Sequence, residues 1–156
     1  ARVVEGELIP LAEQDRSRHD RMKIDAGRAA LDQALALRSA AGPYVLQAAI
    51  ASLQAEEDID WTEVTAIYER LERLTGSPVV ALNRAVAVAE AGAPKQALEL
   101  IDSLDLGEYR YFHSTRAELL RRLGRDDDAR QAFERALQLT STDAERRFLV
   151  RRLSEL

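Results

Sequence analysis

The sequence predicts an all-α fold built from repeated helix pairs, and three observations carry that prediction. The first is composition: of 156 residues, 26 are Ala and 22 are Leu, and only 5% are aromatic. A core of small and branched aliphatic side chains favours closely packed helices over sheet, where β-branched and aromatic residues dominate. The second is a repeat: Gly92 and Gly124 stand 32 residues apart. Each is preceded by Ala at −7 (Ala85, Ala117) and a larger apolar residue at −4 (Val88, Leu120). Each is followed by Ala at +5 (Ala97, Ala129) and then by Ile101 or Phe133. The third is punctuation: Gly or Pro falls at nearly every break in the helical period, with Pro at first turns and Gly just past helix ends.

The small–large–Gly–small–large order is similar to that of a tetratricopeptide repeat, whose period is about 34 residues. The small anchors Ala30, Val64, Ala97 and Ala129 are spaced 34, 33 and 32 apart. Ala30, Ala34 and Leu37 form a degenerate half-repeat before three fuller ones. The fold expected is a tetratricopeptide-like right-handed superhelix of antiparallel helix pairs, closed by a capping helix.

The elements follow in order. Residues 1–14 show no helical period and contain Gly6 and Pro10, so they read as an extended arm, and residues 15–156 as the repeat domain. The first helix is expected over 15–39, with Ile24, Gly27, Leu31, Ala34 and Leu35 on one face. Helices over 43–56, 60–75, 78–91, 94–104, 109–123, 126–140 and 143–155 all carry apolar residues at three- and four-residue steps. Asp60 with Glu63 and Thr142 with Glu145 have capping-box spacing, and Ser77 precedes Pro78 as a further N-cap. The last helix has Phe148, Leu149 and Leu153 on one side, which suits a cap on the final apolar face.

Composition also excludes function classes. Lys and Arg number 22 against 27 Asp and Glu, a net charge of −5. That balance disfavours a stand-alone nucleic-acid binder, which needs a basic footprint. The chain has no Cys, so thiolate zinc sites, disulfides and cysteine nucleophiles are out. No apolar run reaches the ~18 residues of a membrane span, and the expectation is a cytoplasmic protein. Ala1 opens the sequence and the only Met is Met22, so an excised part of a longer protein is expected.

No catalytic motif is visible. His19 and His113 lack metal-ligand neighbours at helical spacing. Glu56, Glu57, Asp58 and Asp60 lack the alternating ligands and Gly of a calcium loop, and read as a solvated loop with an N-cap. Asp126, Asp127 and Asp128 suit a helix N-terminus, where the dipole favours negative charge. No enzyme activity, metal, cofactor or small-molecule substrate is expected.

Several strings together carry a more specific resemblance. They are Leu8-Ile9-Pro10-Leu11-Ala12-Glu13-Gln14-Asp15-Arg16-Ser17-Arg18-His19-Asp20, then Gly42-Pro43-Tyr44, then Asp60-Trp61. They continue with Pro78-Val79-Val80-Ala81-Leu82-Asn83-Arg84-Ala85-Val86-Ala87 and end with Glu145-Arg146-Arg147-Phe148-Leu149-Val150-Arg151-Arg152. Over essentially its whole length the chain resembles the C-terminal extension of a group of bacterial extracytoplasmic-function RNA polymerase sigma factors. It departs from them at His19, where the group carries Trp, and in a shorter connection around Ala93-Pro94. The resemblance implies a regulatory domain fused behind two promoter-binding domains. Its partners would be those sigma domains or RNA polymerase, with DNA contacted only by the upstream domains. The other reading is a free-standing tetratricopeptide scaffold with an unrelated peptide or helix partner.

Two surfaces are candidates for partner contact. Counting from the Gly anchors puts Ala49, Ile50, Leu53, Leu82, Asn83, Val86, Tyr111, Ser114, Thr115 and Glu118 on the groove-facing helices. Only Asn83 fits a carboxylate-gripping pattern, so this surface is either a mostly apolar groove for a helix or extended segment, or in part core between helices. The basic residues Arg16, Arg18, Arg21 and Lys23, and Arg146, Arg147, Arg151 and Arg152, read as solvated, ion-paired faces, as docking points for an acidic protein surface, or, least favoured at a net charge of −5, as nonspecific DNA contacts. The candidate partner-binding residues are therefore Leu82, Asn83, Val86, Tyr111, Thr115, Arg147 and Arg151.

Overall fold

The computed structural model describes all residues other than 1, 5, 10–12, 16, 18 and 37–41, and all their side chains other than those of residues 2 and 34–36. The expectations for Pro10, Leu11, Arg16, Arg18, Leu37, the side chains of Ala34 and Leu35, and a helix end at 39 lie outside the described residues. The chain divides into two compact units, residues 15–92 on one hand and residues 1–14 with 93–156 on the other.

The unit of residues 15–92 holds α1 (Arg21–Ala36), α2 (Pro43–Gln54), α3 (Trp61–Thr75) and α4 (Pro78–Glu90). Helix α1 begins six residues later than its period suggested. Asp15 accepts bonds from the backbone N–H and the hydroxyl of Ser17, a local turn that competes with helix. Asp20 then accepts from the Lys23 N–H at 3.1 Å and starts the helix. Asp60 caps α3 by accepting from Thr62 and Glu63, and Gly76 closes that helix at φ 60°. Leu46, Ile50, Val64, Leu71 and Ala87 form the core, with Trp61, Ile67 and Tyr68 packed at its margin.

The degenerate half-repeat does not hold at Ala30. Val64, Ala97 and Ala129 are fully buried, but Ala30 is exposed. Helix α1 packs on α2, and its half-buried positions Ile24, Arg28 and Leu31 step by four and three along one face. Ala30 falls off that face, while Gly27 lies at its edge and is exposed.

The other unit holds β1 (Arg2–Val4), β2 (Glu7–Ile9), α5 (Pro94–Asp102), α6 (Arg110–Arg122), α7 (Asp126–Gln138) and α8 (Asp143–Ser154). Helices α6 and α7 pack as a pair, with Ala117, Leu120, Ala129 and Ala136 at 0% exposure and Phe133 at 1%. The connection between them is a Schellman turn. Gly124 takes φ 70°, its N–H reaches the Arg121 carbonyl at 3.0 Å, and the Arg125 N–H reaches the Leu120 carbonyl at 2.9 Å. Ser77 and Thr142 stand at N-cap positions without a capping side-chain bond. Pro78 opens α4 instead, and Thr142 turns its hydroxyl to Glu145.

The N-terminal arm is paired with itself. Strands β1 and β2 form an antiparallel hairpin in the register Arg2 to Ile9, Val3 to Leu8 and Val4 to Glu7. Gly6 supplies φ 82°, a conformation that favours Gly, and a Cβ there would lie 3.1 Å from the tip of the Arg147 side chain at Nη2. Strand β2 packs on α8. The apolar pairs Val3-Val4 and Leu8-Ile9 around one Gly carry the hairpin signal.

The α6–α7 crossing has no room for a larger side chain. Ala117→Leu is expected to lower unfolding free energy by about 1–3 kcal/mol through overpacking, read as a lower denaturant midpoint at unchanged slope. An unchanged midpoint would mean that the crossing can open.

Candidate protein-interaction site

Within residues 15–92, helices α2, α3 and α4 surround a cleft of about 270 Å³. Its walls combine Gln47, Gln54, Tyr68 and Asn83 with Ile50, Ala51, Leu71 and Val80. None of these is charged. Burial raises the Tyr68 pKa, opposed by its hydrogen bond with Gln54, so the phenol stays protonated and polar. Beside the cleft, Arg84 Nε lies 2.6 Å from Glu72 Oε2 and ties α4 to α3. Such a surface can bond peptide amides and cover apolar side chains. It offers no cation to a terminal carboxylate.

This cleft sorts the groove residues read from sequence. Asn83 is exposed and lines it, and Val86 is half-buried. Leu82 is 2% exposed, so it is core and not a contact residue. Its neighbour in sequence points outward because successive helix positions are about 100° apart. Gln47, Gln54 and Tyr68 were missed; their places on helices flanking Asn83 were the available signal.

In the other unit, Tyr111 and Glu145 join α6 to α8. The Tyr111 hydroxyl donates to Glu145 Oε1 at 2.8 Å. Arg110 Nη2 donates to the same oxygen at 3.1 Å, and Thr142 donates to Oε2 at 3.0 Å. Burial pushes the Glu145 carboxyl up, but the bonds from Tyr111, Arg110 and Thr142 outweigh it and hold the carboxyl below its ordinary value. The bond to Glu145 raises the Tyr111 phenol, and burial adds to it. Thr115 is half-buried on the same helix. Tyr111 is thus a partly exposed ring whose hydroxyl is already committed. Tyr111 and Glu145 are 34 residues apart, one repeat period, which places them at matching positions of α6 and α8, one helix pair apart. That spacing was the signal for Glu145.

Helix α8 presents arginines that already have partners. Arg147 Nε lies 2.8 Å from Glu7 Oε1, and its Nη2 donates to the Gly6 carbonyl. Arg151 Nη1 lies 3.6 Å from Glu7 Oε2. Arg152 reaches Glu13 at 3.0 Å and Glu155 at 2.9 Å. On α6, Glu118 is held by Arg121 at 2.6 Å and by Arg122 at 3.6 Å. Burial pushes the Glu118 carboxyl up, yet the Arg121 bond and the charges of Arg121, Arg152 and Arg122 bring it below its ordinary value. Arg147 and Arg151 are therefore engaged by the chain's own N-terminal segment.

His113 Nε2 lies 2.7 Å from the Gly107 carbonyl oxygen, and its ring meets Phe112 edge-on, a structural placement. Among the described residues no group of three or more His, Asp or Glu side chains could hold a metal ion. Among them, too, no helix is long and apolar enough to cross a membrane.

Because the Glu145 carboxyl is depressed in the fold, its stabilisation is present above the ordinary carboxylate pKa of about 4.3 and is lost as pH falls through the lower folded value. Glu145→Gln is expected to cost about 1–2 kcal/mol near neutral pH and to flatten the acid limb of a Tm-against-pH curve. A variant whose curve parallels the parent below pH ~4.5 would remove Glu145 from that role.

Comparison with known proteins places the fold. Residues 111–143, spanning α6 and α7, match the tetratricopeptide repeat family model. The crystal structure of a thermophilic TPR protein from Thermus thermophilus superposes with a TM-score of 0.68 over 87% of this chain and 77% of that one, at 20% identity. An uncharacterized protein of Rhizobium meliloti (strain 1021) is 41% identical over 157 residues, covering 97% of this chain. The chain spans 37% of the length of that relative. The fold is all-α and tetratricopeptide-like.

Proposed function

We propose that the chain is the regulatory protein-binding extension of an extracytoplasmic-function sigma factor, acting by contact with the sigma domains or RNA polymerase. The observation that carries this reading is the set of strings around Gln14-Asp15-Arg16-Ser17 and Pro78-Val79-Val80-Ala81-Leu82-Asn83-Arg84, joined to a scaffold fold. The length of the relative supports it: nearly two thirds of that protein lies outside the stretch that matches, which leaves room for two further domains. A net charge of −5 suits a protein partner better than DNA. The contact surface assigned to the partner is the uncharged cleft at Gln47 and Asn83.

The test is run-off transcription with the full-length protein and core RNA polymerase. The full-length protein is expected to bind core polymerase and initiate at its own promoter. Gln47→Ala with Asn83→Ala should change transcript yield at least about threefold, the effect of losing one or two hydrogen bonds, with the helical circular-dichroism signal unchanged. Failure to bind core polymerase would leave the free-standing scaffold as the reading. Binding with unchanged yield would move the contact away from the cleft.

A further inference from the structure

Four arginines stand on the twelve-residue helix α8, and three of them find their acids in the N-terminal segment. We propose that α8 is a docking surface for an acidic extended segment and that residues 2–13 are its resident intramolecular ligand, which such a segment displaces. The inference stands apart from the sigma-factor reading, because it concerns groups within one compact unit of this chain.

Three features make the hairpin a ligand and not simply part of the fold. Its contacts resemble an interface: Glu7 bridges Arg147 and Arg151, Gly6 gives its carbonyl to Arg147, and Glu13 takes Arg152. Phe148 lies between, with the guanidinium carbons of Arg151 and Arg152 5.8 and 5.2 Å from its ring centroid. Two three-residue strands cannot hold together alone, so the hairpin exists only while α8 supports it. The ion pairs are also weak by position. Arg147 and Arg151 keep 51% and 45% of their side-chain surface, and Glu7 keeps 37%. Half-exposed pairs are screened by salt and readily exchanged.

The resident ligand defines the chemistry of its competitor. It is a strand, β2, whose Glu7 carboxylate reaches both Arg147 and Arg151, with a second carboxylate, six residues on in sequence, reaching Arg152. Arginine forks favour carboxylates over other acceptors. A competitor must exceed the high effective concentration of a tethered segment, so the hairpin sets a threshold for binding.

The test uses the whole chain and a labelled synthetic peptide of residues 1–14. Glu7→Gln with Glu13→Gln weakens the resident segment and leaves α8 intact; this variant should bind the peptide at least about tenfold more tightly than the parent. Arg147→Gln with Arg151→Gln should bind neither the peptide nor its own hairpin, and amide exchange over residues 2–9 should rise at least about tenfold while α6 and α7 stay protected. Raising salt from about 0.05 M to about 1 M should speed exchange over 2–9 in the parent, a readout that needs no substitution. Equal peptide affinity for the parent and the glutamine variant would overturn the proposal. So would equal binding of a scrambled peptide of the same composition, or hairpin exchange indifferent to both salt and the arginine changes.

Discussion

The close helix crossings made by alanine are the constraint on which the rest depends. Ala85, Ala97, Ala117 and Ala129 have no exposed surface. A side chain of one carbon lets two helix backbones approach, and the larger Leu120 and Phe133 then fill the flanking grooves. The approach requires helices of fixed length joined by turns of fixed shape. Between α6 and α7 Gly124 provides such a turn by taking φ 70°, a conformation that costs an L side chain energy. Composition and turn chemistry are therefore one requirement. At the α6–α7 crossing the buried alanines depend on the glycine turn that brings the two helices together.

Charge is arranged around this frame so that most of the described arginines have an acidic partner. Arg110 with Glu145 and Arg116 with Asp102 join different helices, Arg121 with Glu118 joins successive turns, and Arg135 with Glu108 joins α7 to the loop before α6. Against the upward push of burial, the Glu118 carboxyl is held below its ordinary value by Arg121 above all, and that of Glu145 by bonds from Tyr111, Arg110 and Thr142. Exposed pairs of this sort contribute little each.

The helices were legible in the sequence because their signals are local. Apolar steps of three and four, Pro at first turns and Gly beyond the ends placed helices α2 to α8 to within about two residues, the usual uncertainty of helix ends. Helix α1 was misplaced at its start because the Asp15–Ser17 turn competes with helix where the residues are polar enough for either. The groove was less legible. A repeat period says which helix lines a face but not which of two adjacent residues turns outward, so Leu82 and Asn83 were given one role and the fold gives them two. The hairpin's ion pairs were out of reach. Glu7 and Arg147 are 140 positions apart, and nothing in either neighbourhood names the other.

The two surfaces differ in what they can recognise, and the difference follows from their chemistry. The cleft at α2, α3 and α4 has amides and a protonated phenol but no charge. Its selectivity must come from shape and from hydrogen bonds to a peptide backbone, and salt should matter little. Helix α8 selects by charge and is governed by ionic strength. They also lie in separate compact units and share no side chain, so substitutions in one should combine with those in the other by simple addition. Non-additive effects on a common partner would therefore report coupling through that partner and not through the repeat scaffold.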